Sequence, residues 1–478
     1  MPSLHAIYHL AQYLQFERPL PPALRYPRFG LRAPLEVGLF EWSLELIVRE
    51  LILNAPERAG RAMNKWNEFA AVANLVRDIE NEIWHRLPNG PDLVRYEMIR
   101  IGHRQFPWQV RPNARLIASY YKLYSNPRLA NLVHEAFGMT ALELYQIVLT
   151  LSGHFIEQPL IREPVSNQVN GVDPKTVARF VRRYALPLPA LREQMSATQV
   201  YNINWAYLFD PLRTWPMIDI GEGTLFCPMP TLLFWRLTDG IYFDLVQHRE
   251  LFDQNFGLAF QDVVSDVVRA ADDTRHLQVL PEQRYGTRQQ PRDSVDLIVQ
   301  DETAAVFVEC KASRLKAQAK VDIHNTAAID AELERLAGFV VQVYSTMADA
   351  LEGGYPHWQR DDRLVYPMVV TLDEWLPSGR MLNETLEALV KAGLARRGLS
   401  PGLSDQYPFT LCSLHDFEAA AKAMAKAGVQ AVLGEKTAGE QRTWAMMPFL
   451  TERFRPQLRD AGLLFEREWE ELTEGIQR

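Results

Sequence analysis

Apolar residues recur at three- and four-residue spacing through the first half of the chain. The stretches "FEWSLELIVRELIL" (40–53) and "RAMNKWNEFAAVANLVRDIENEIW" (61–84) each carry one such stripe, which predicts helices with one buried face. Helix starts are legible as well. Thr140 with Glu143 three residues later makes a capping box before "LYQIVLTL", and Asp173 with Pro174 sets an N-cap and an N1 proline before "KTVARFVRRYA". Between about 215 and 245 the pattern changes. "WPMIDIGEGTLFCPMP" predicts two short strands around a Gly-Glu-Gly turn, and "TLLFWRLTDGIYFDLV" returns to helix. Residues 1–240 are expected to form a mostly helical domain.

The second half alternates. A helix is expected over about 250–271, strands near 276–281, 294–300 and 304–312, and a long helix over about 325–351. A strand at "LVYPMVVTL" follows, then "FTLCSL" before the helix "HDFEAAAKAMAKAG". Strands alternating with helices indicate an α/β layered domain over 241–440, with 441–478 a C-terminal helical segment.

Charge interrupts two of these strands. In "DSVDLIVQDETAAVFVECKAS" (293–313), Asp301 and Glu302 as the two turn residues of a hairpin would pair Gln300 with Thr303 and set Asp296 opposite Phe307. Side chains alternate faces along a strand, so Phe307, Glu309 and Lys311 then share a face with Asp296, Glu309 being its diagonal neighbour. The reverse face, Val295, Leu297 and Val299 with Val306, Val308 and Cys310, is uniformly apolar. An odd-length loop would separate the two acids, so the site requires an even one. Converging carboxylates suit a hard cation such as Mg²⁺, which lowers the pKa of bound water, while a nearby lysine can orient or deprotonate a nucleophile. The alternative is a plain Glu309–Lys311 ion pair on a half-exposed sheet.

Asp/Glu-x-Lys occurs twice. The other instance, "DPK" at 173–175, opens a helix and has no strand before it. "SVD", twelve residues and then "ECK" resembles the PD-(D/E)xK nuclease superfamily, over about residues 245–435. The resemblance implies a restriction-endonuclease-like α/β/α core with a mixed central sheet. It further implies Asp296, Glu309 and Lys311 as the catalytic set, with Mg²⁺ (or Mn²⁺) held at Asp296, Glu309 and Cys310. Many such nucleases carry a glutamate in a phrase like "FGxxFE" on the preceding helix; here "FGLAFQDVV" (256–264) puts Gln261 in that place. Gln261 lies at the edge of the stripe formed by Phe256, Phe260, Val263, Val264 and Val267, whereas Asp262 points nearly opposite, so Gln261 is the expected supporting residue. Gln342 and Tyr344 do not have the Gln-x-x-x-Tyr spacing of the RecB-like group, and Tyr344 falls on a core stripe.

Composition narrows the partners. A net charge of −8 argues against a general basic coat for nucleic acid, but lysine is scarce and Lys311, Lys316 and Lys320 cluster within ten residues. Arg314, Lys316 and Lys320 are therefore the expected phosphate contacts. "RFVRRYALPLPALR" is a second basic patch, and Asp373, Glu374 and Asp416 near strand ends are expected helix N-caps. Cys227, Cys310 and Cys412 show no zinc or disulfide spacing, and no membrane span or signal sequence is evident; a cytoplasmic setting is expected. No P-loop, GxSxG or Rossmann glycine pattern occurs. The resulting expectation is a metal-dependent nuclease acting on nucleic acid, DNA before RNA, of the kind that serves as a bacterial anti-phage or restriction effector. A partner protein at the helical half and self-association are compatible with it. The competing readings are a non-catalytic binding or scaffold protein on a degenerate nuclease fold and an RNA-cleaving toxin.

Overall fold

The computed structural model describes residues 1–25, 38–55, 62–86, 91–272, 276–322, 326–375, 380–459 and 462–474. Arg61 and Asn325, the expected starts of two helices, lie outside the described residues. The chain forms two units. One comprises Met1–Gly90, Ile101–Phe252 and Arg467–Arg478, the other Pro91–Arg100 and Asp253–Glu466. The boundary expected near 240 thus falls at 252/253, and the segment 441–478 divides between the units instead of standing apart. Lys122 pairs with Glu468 at 2.9 Å inside the first unit, and Tyr96 donates to Asp330 at 2.9 Å inside the second.

The first unit is helical, as its periodicity predicts. Helices Pro2–Phe16, Glu41–Asn54 and Trp66–His85 bury Ile7, Leu10, Leu44, Ile47 and Phe69 in one core. The Thr140–Glu143 capping box closes Ala141–Glu157, and the Asp173 side chain accepts from the Lys175 amide at the start of Pro174–Tyr184. The two strands around Gly-Glu-Gly form, with Ile218 opposite Phe226. Gly221, Glu222 and Gly223 all adopt positive φ (92°, 52° and 65°), a run that glycine makes cheap. Leu160–Arg162 and Ala185–Pro187 extend this pair to a four-stranded sheet. Three-residue strands are too short for alternation to show in a sequence. "RLTDG" inserts a π-helical turn, Arg236–Gly240, into the last helical run.

The second unit is α/β. Its main elements are α1 (Arg249–Ala271, within this unit from Asp253), β1 (Gln278–Pro281), β2 (Leu297–Gln300), β3 (Ala304–Lys311) and α2 (Thr326–Leu351). They continue as β4 (Leu364–Thr371), α3 (Arg380–Arg396), β5 (Thr410–Ser413), α4 (Leu414–Ala427) and α5 (Val429–Lys436). A small hairpin, Arg284–Thr287 with Gln290–Asp293, intervenes between β1 and β2. The sheet order is β5-β4-β3-β2-β1, with β1, β2 and β3 antiparallel and β3, β4 and β5 parallel. Consecutive residues of β3 (Ala304–Val308) and β4 (Val365–Thr371) are buried, so both faces are covered. Helix α2 packs on β3 and β4, and α4 with α5 covers β3, β4 and β5. The sheet is therefore mixed and layered with helices, and the half-exposed sheet of the plain ion-pair alternative is not what forms. Among the described residues no helix is long and apolar enough to cross a membrane, and all three cysteines are free.

The first unit also contains a buried charge network that the hydrophobic pattern does not announce. Glu45 accepts from Arg213 Nε and Nη2, the latter at 2.7 Å, and from Trp108 Nε1 at 3.1 Å, and Arg49 donates to the Trp205 carbonyl at 2.7 Å. Asp210 lies in the same network. Burial first, then the Glu45 charge, pushes its carboxyl up to about 7. A carboxyl whose value is raised on folding stabilises the fold below its unfolded value, near 4, and loses that contribution as pH climbs through about 7. Thermal or urea denaturation should therefore show stability declining from pH 5 to pH 8 by about 2 kcal/mol through this group. Asp210→Asn, which retains an acceptor for the Leu212 amide, should flatten that slope. A slope unchanged by Asp210→Asn would assign it to other groups.

Candidate active site

The register of the β2–β3 hairpin decides whether its charges meet. Leu297 pairs with Val308 and Gln300 with Ala305, two residues away from the expected pairing of Gln300 with Thr303. The Asp301 amide donates to the Ala304 carbonyl at 3.1 Å, so the two-residue turn is Glu302-Thr303, not Asp301-Glu302. The reason is the Asp301 side chain. Its Oδ1 accepts from the Thr303 amide (2.8 Å), the Thr303 hydroxyl (2.6 Å) and the Ala304 amide (2.9 Å), so Asp301 anchors the turn from its base. Its Oδ2 accepts from the Val429 amide at 2.8 Å, tying the hairpin to the first residue of α5. The loop stays even, so the expected face assignment holds.

Moving the register by two residues brings the acids closer than the sequence suggests. Continued one residue beyond the last ladder pair, it sets Asp296 across from Glu309, where Cβ atoms of facing residues stand about 4.5–5.5 Å apart. Asp296 Oδ2 accepts from the Cys310 amide at 2.6 Å, which fixes its carboxyl against β3. Burial first, then the Glu309 charge, pushes Asp296 up to about 8. Glu309 is only 2% exposed; burial raises it too, and Lys311, whose Nζ lies 2.6 Å from Oε1, partly offsets this. Lys311 also sits 5.5 Å from the centre of the Phe339 ring. Cys310 points to the other face of β3. Burial first, then Asp296 and Glu309, pushes its thiol far up, so any contribution of Cys310 to a cation is confined to its backbone.

Helix α1 buries Phe256, Phe260, Val263, Val264 and Val267 and leaves Gln261 at the edge of that stripe. Gln261 Nε2 donates to the Asp296 carbonyl at 3.1 Å and reaches Glu282 Oε2 at 3.4 Å. It clamps the residue before β2 through its amide nitrogen. Glu282 is the acid that the sequence reading missed. It follows β1, where Pro281 pairs with Leu297, so the same one-residue continuation sets Glu282 beside Asp296. Glu282, Asp296 and Glu309 therefore form a transverse row across three neighbouring strand ends, and Glu282 adds to the negative potential at both others. No local signal marks it, because the β1–β2 connection contains a separate hairpin that hides the register.

The expected phosphate contacts separate. Lys316, with its side chain 71% exposed, remains at the surface beside Glu332. Arg314 is turned inward, 6% exposed and 3.2 Å from Asp373, and Lys320 pairs with the same carboxylate at 3.2 Å. In the first unit Arg183 donates to the Ala136 carbonyl at 2.8 Å and Arg179 to Gly138, so both serve the end of the helix Ala130–Phe137. Arg192 donates to the Ile52 carbonyl at 2.7 Å. The acids expected as N-caps are used otherwise. Ser413 caps α4 by accepting from the Asp416 amide, Asp373 holds Arg314 and Lys320, and Glu374 is pushed up to about 8 by burial, then by Asp416 and Asp373. Tyr344 is core, its hydroxyl donating to the Tyr407 carbonyl at 2.6 Å.

Among the described residues no three of His, Cys, Asp and Glu stand close enough to hold a metal ion together. A cation here would have only the Asp296 and Glu309 carboxyls as ligands from the described residues, a set that Mg²⁺, which keeps most of its waters, could accept. No family model, no curated protein and no solved structure matches the chain. Asp301→Ala should cost on the order of 3 kcal/mol in denaturant unfolding, since it strips acceptors from four buried or part-buried donors. A loss below about 1 kcal/mol would show that the turn holds its register without that carboxylate.

Proposed function

We propose that the protein is a divalent-metal-dependent nuclease that hydrolyses phosphodiester bonds in nucleic acid, with DNA the favoured substrate. One observation carries this reading: two carboxyls, Asp296 and Glu309, face each other at the end of a mixed sheet with a single ammonium, Lys311, on the same face. The resemblance to PD-(D/E)xK nucleases, of the type that act in restriction or anti-phage defence, rests on those same residues. The mixed sheet covered on both faces agrees with it.

Asp296 and Glu309 would hold Mg²⁺ or Mn²⁺. When bound, such a cation stabilises charge on the phosphate oxygens and acidifies a bound water. Asp296, held by the Cys310 amide and kept largely protonated by burial beside Glu309, must lose its proton to serve as a ligand. Gln261 fixes the backbone that carries it. Lys311 neutralises Glu309, and its ammonium stands where it can donate a hydrogen bond that orients the attacking water. The exposed Lys316 is the residue best placed among the expected basic contacts to meet the phosphate backbone.

A second reading, a non-catalytic nucleic-acid-binding protein on the same fold, draws support from one arrangement. Gln261 occupies the place of a helical acid, and Lys311 is engaged by Glu309 at 2.6 Å. Incubation with supercoiled DNA, single-stranded DNA and RNA separates the readings. Cleavage should require Mg²⁺ or Mn²⁺, stop in EDTA, and fall about 10²–10⁴-fold in Lys311→Ala and at least as far in Asp296→Ala. Cleavage that persists in EDTA or survives both substitutions rejects the nuclease, and RNA cut in preference to DNA gives the toxin reading. Cation affinity should also depend on pH. A proton competes for Asp296 below about 8, so Mn²⁺ binding measured by calorimetry should tighten about tenfold from pH 7 to pH 9 and release a proton. A pH-independent affinity would place the ion elsewhere.

A further inference from the structure

The small hairpin between β1 and β2, Arg284–Thr287 with Gln290–Asp293, contributes nothing to the core of the second unit. Both strands are exposed along their length, only Tyr285 being half-buried, and neither face is apolar. A two-stranded ribbon of this kind is marginal in water unless something holds it. Two sets of bonds do so. At its base the Ser294 amide donates to the Gln283 carbonyl and the Gln283 amide to the Ser294 hydroxyl, both at 2.9 Å. On one face the Tyr285 hydroxyl (2.6 Å) and Arg292 (2.7 Å) donate to Asp349 near the end of α2, and the Tyr285 ring lies 4.9 Å from that of the buried Tyr355. Gly286 takes φ 84°, and a side chain there would meet the Gln290 carbonyl at 2.7 Å, so the close approach of the two strands requires glycine.

Its place in the chain is the second observation. The ribbon starts two residues after Glu282 and ends three residues before Asp296, so it rises directly from the row of acids. Arg284, Arg288 and Arg292 recur at every fourth residue, and Asp293 is the one acid in those ten residues. In the observed register Arg284 stands opposite Asp293 and Arg292 opposite Tyr285, which leaves Arg288 and Gln289 as the two turn residues at the tip. Arg288 pairs with no carboxylate among the described residues. Arg284 lies 3.2 Å from Asp293, but with side chains 73% and 54% exposed this pair is weak enough to give way to a phosphate. Arg292 is held by Asp349 and serves the anchor. Edge-to-edge pairing with a second copy is disfavoured, because Pro291 lacks an amide proton and both strands carry charge.

We infer that this ribbon is an arm that enters the major groove of duplex DNA beside the acid pair, with Arg284 and Arg288 meeting phosphates and Asp349 fixing the base of the arm. Paired strands stand about 4.8 Å apart, and a two-stranded ribbon fits a groove about 12 Å wide. The major groove of an RNA duplex is too deep and narrow to admit it, so the fit is to B-form DNA. The inference deepens the nuclease reading and rests on it. Exposed arginines alone would suit any anionic surface; the row of acids at the foot of the ribbon is what selects a polynucleotide, since a strand presented to Asp296 and Glu309 has to pass that foot.

The test is fluorescence anisotropy of the full chain with labelled duplex DNA, single-stranded DNA and duplex RNA of one sequence, over a series of salt concentrations and in EDTA so that nothing is cut. Duplex DNA should bind at least about fivefold more tightly than the other two. Arg284→Ala and Arg288→Ala should each weaken duplex binding about fivefold and lower the slope of log affinity against log salt by about one. Arg288→Asn combined with Gln289→Gly, a pair that closes a tight two-residue turn, should weaken binding equally with an unchanged circular dichroism spectrum, which separates lost charge from lost fold. Absence of duplex binding, no preference for duplex DNA, or affinity and salt slope that survive Arg284→Ala with Arg288→Ala overturns the arm. The two readings fail separately. Metal-dependent cleavage with DNA affinity indifferent to these substitutions removes the arm and keeps the nuclease, whereas arginine-dependent duplex binding by a chain that cleaves nothing keeps the arm and removes the nuclease.

Discussion

The Asp301 carboxylate accepts three hydrogen bonds on Oδ1 and a fourth on Oδ2, and the geometry of the candidate site follows from them. The first three fold the Glu302-Thr303 turn and so set the β2–β3 register; the fourth attaches the hairpin to α5. A one-residue slip would turn Asp296 away from Glu309 and carry Leu297 and Val299 off their buried face. The parity of a two-residue turn thus separates an acid pair from two stray charges.

That register creates an electrostatic problem which the sheet solves only in part. Glu309 is buried and Asp296 half-buried beside it, with Glu282 adding negative potential and Lys311 placing an ammonium against Glu309. Burial penalises each charged form, and each negative charge penalises the other. The Cys310 amide and Lys311 recover some of this, yet Asp296 remains pushed up to about 8. A position that served only packing would be better filled by an apolar residue, as its neighbours Val295 and Leu297 are. The second acidic locus, Glu374 with Asp416, has the same character with a different surround. There Lys436 and Arg442 are engaged by other groups, whereas at the first locus Lys311 is engaged by the acid Glu309 itself.

The legibility of these features depends on how local their causes are. The α1 stripe and the alternation along β3 arise within a few residues, so Gln261 could be assigned the edge of the helix and Glu309 and Lys311 a shared face before any tertiary contact was known. The hairpin is legible in kind but not in register, because Asp301 looks like a turn residue while its side chain builds the turn from outside. Glu282 was not legible at all: its place in the row depends on a β1–β2 pairing separated by an inserted hairpin. The role of Arg314 is hidden for a related reason. A basic residue after a strand looks like a phosphate contact until Asp373, 59 residues away, is brought against it.

By itself the sequence determined the helical first half, the alternating second half, and the identity and facing of Asp296, Glu309 and Lys311, because periodicity and strand pleat are short-range geometry. The tertiary structure decided what those residues meet. It moved the boundary between units, committed Arg179 and Arg183 to carbonyls at a helix end, turned Arg314 inward, aligned Glu282 with the acid pair, and brought Leu336, Thr410, Glu374 and Met446 to the wall of one cavity. The physical reason is common to all of these. A side chain's role here depends on which distant charge, carbonyl or strand end lies within a few ångströms of it, and only the folded chain sets those distances.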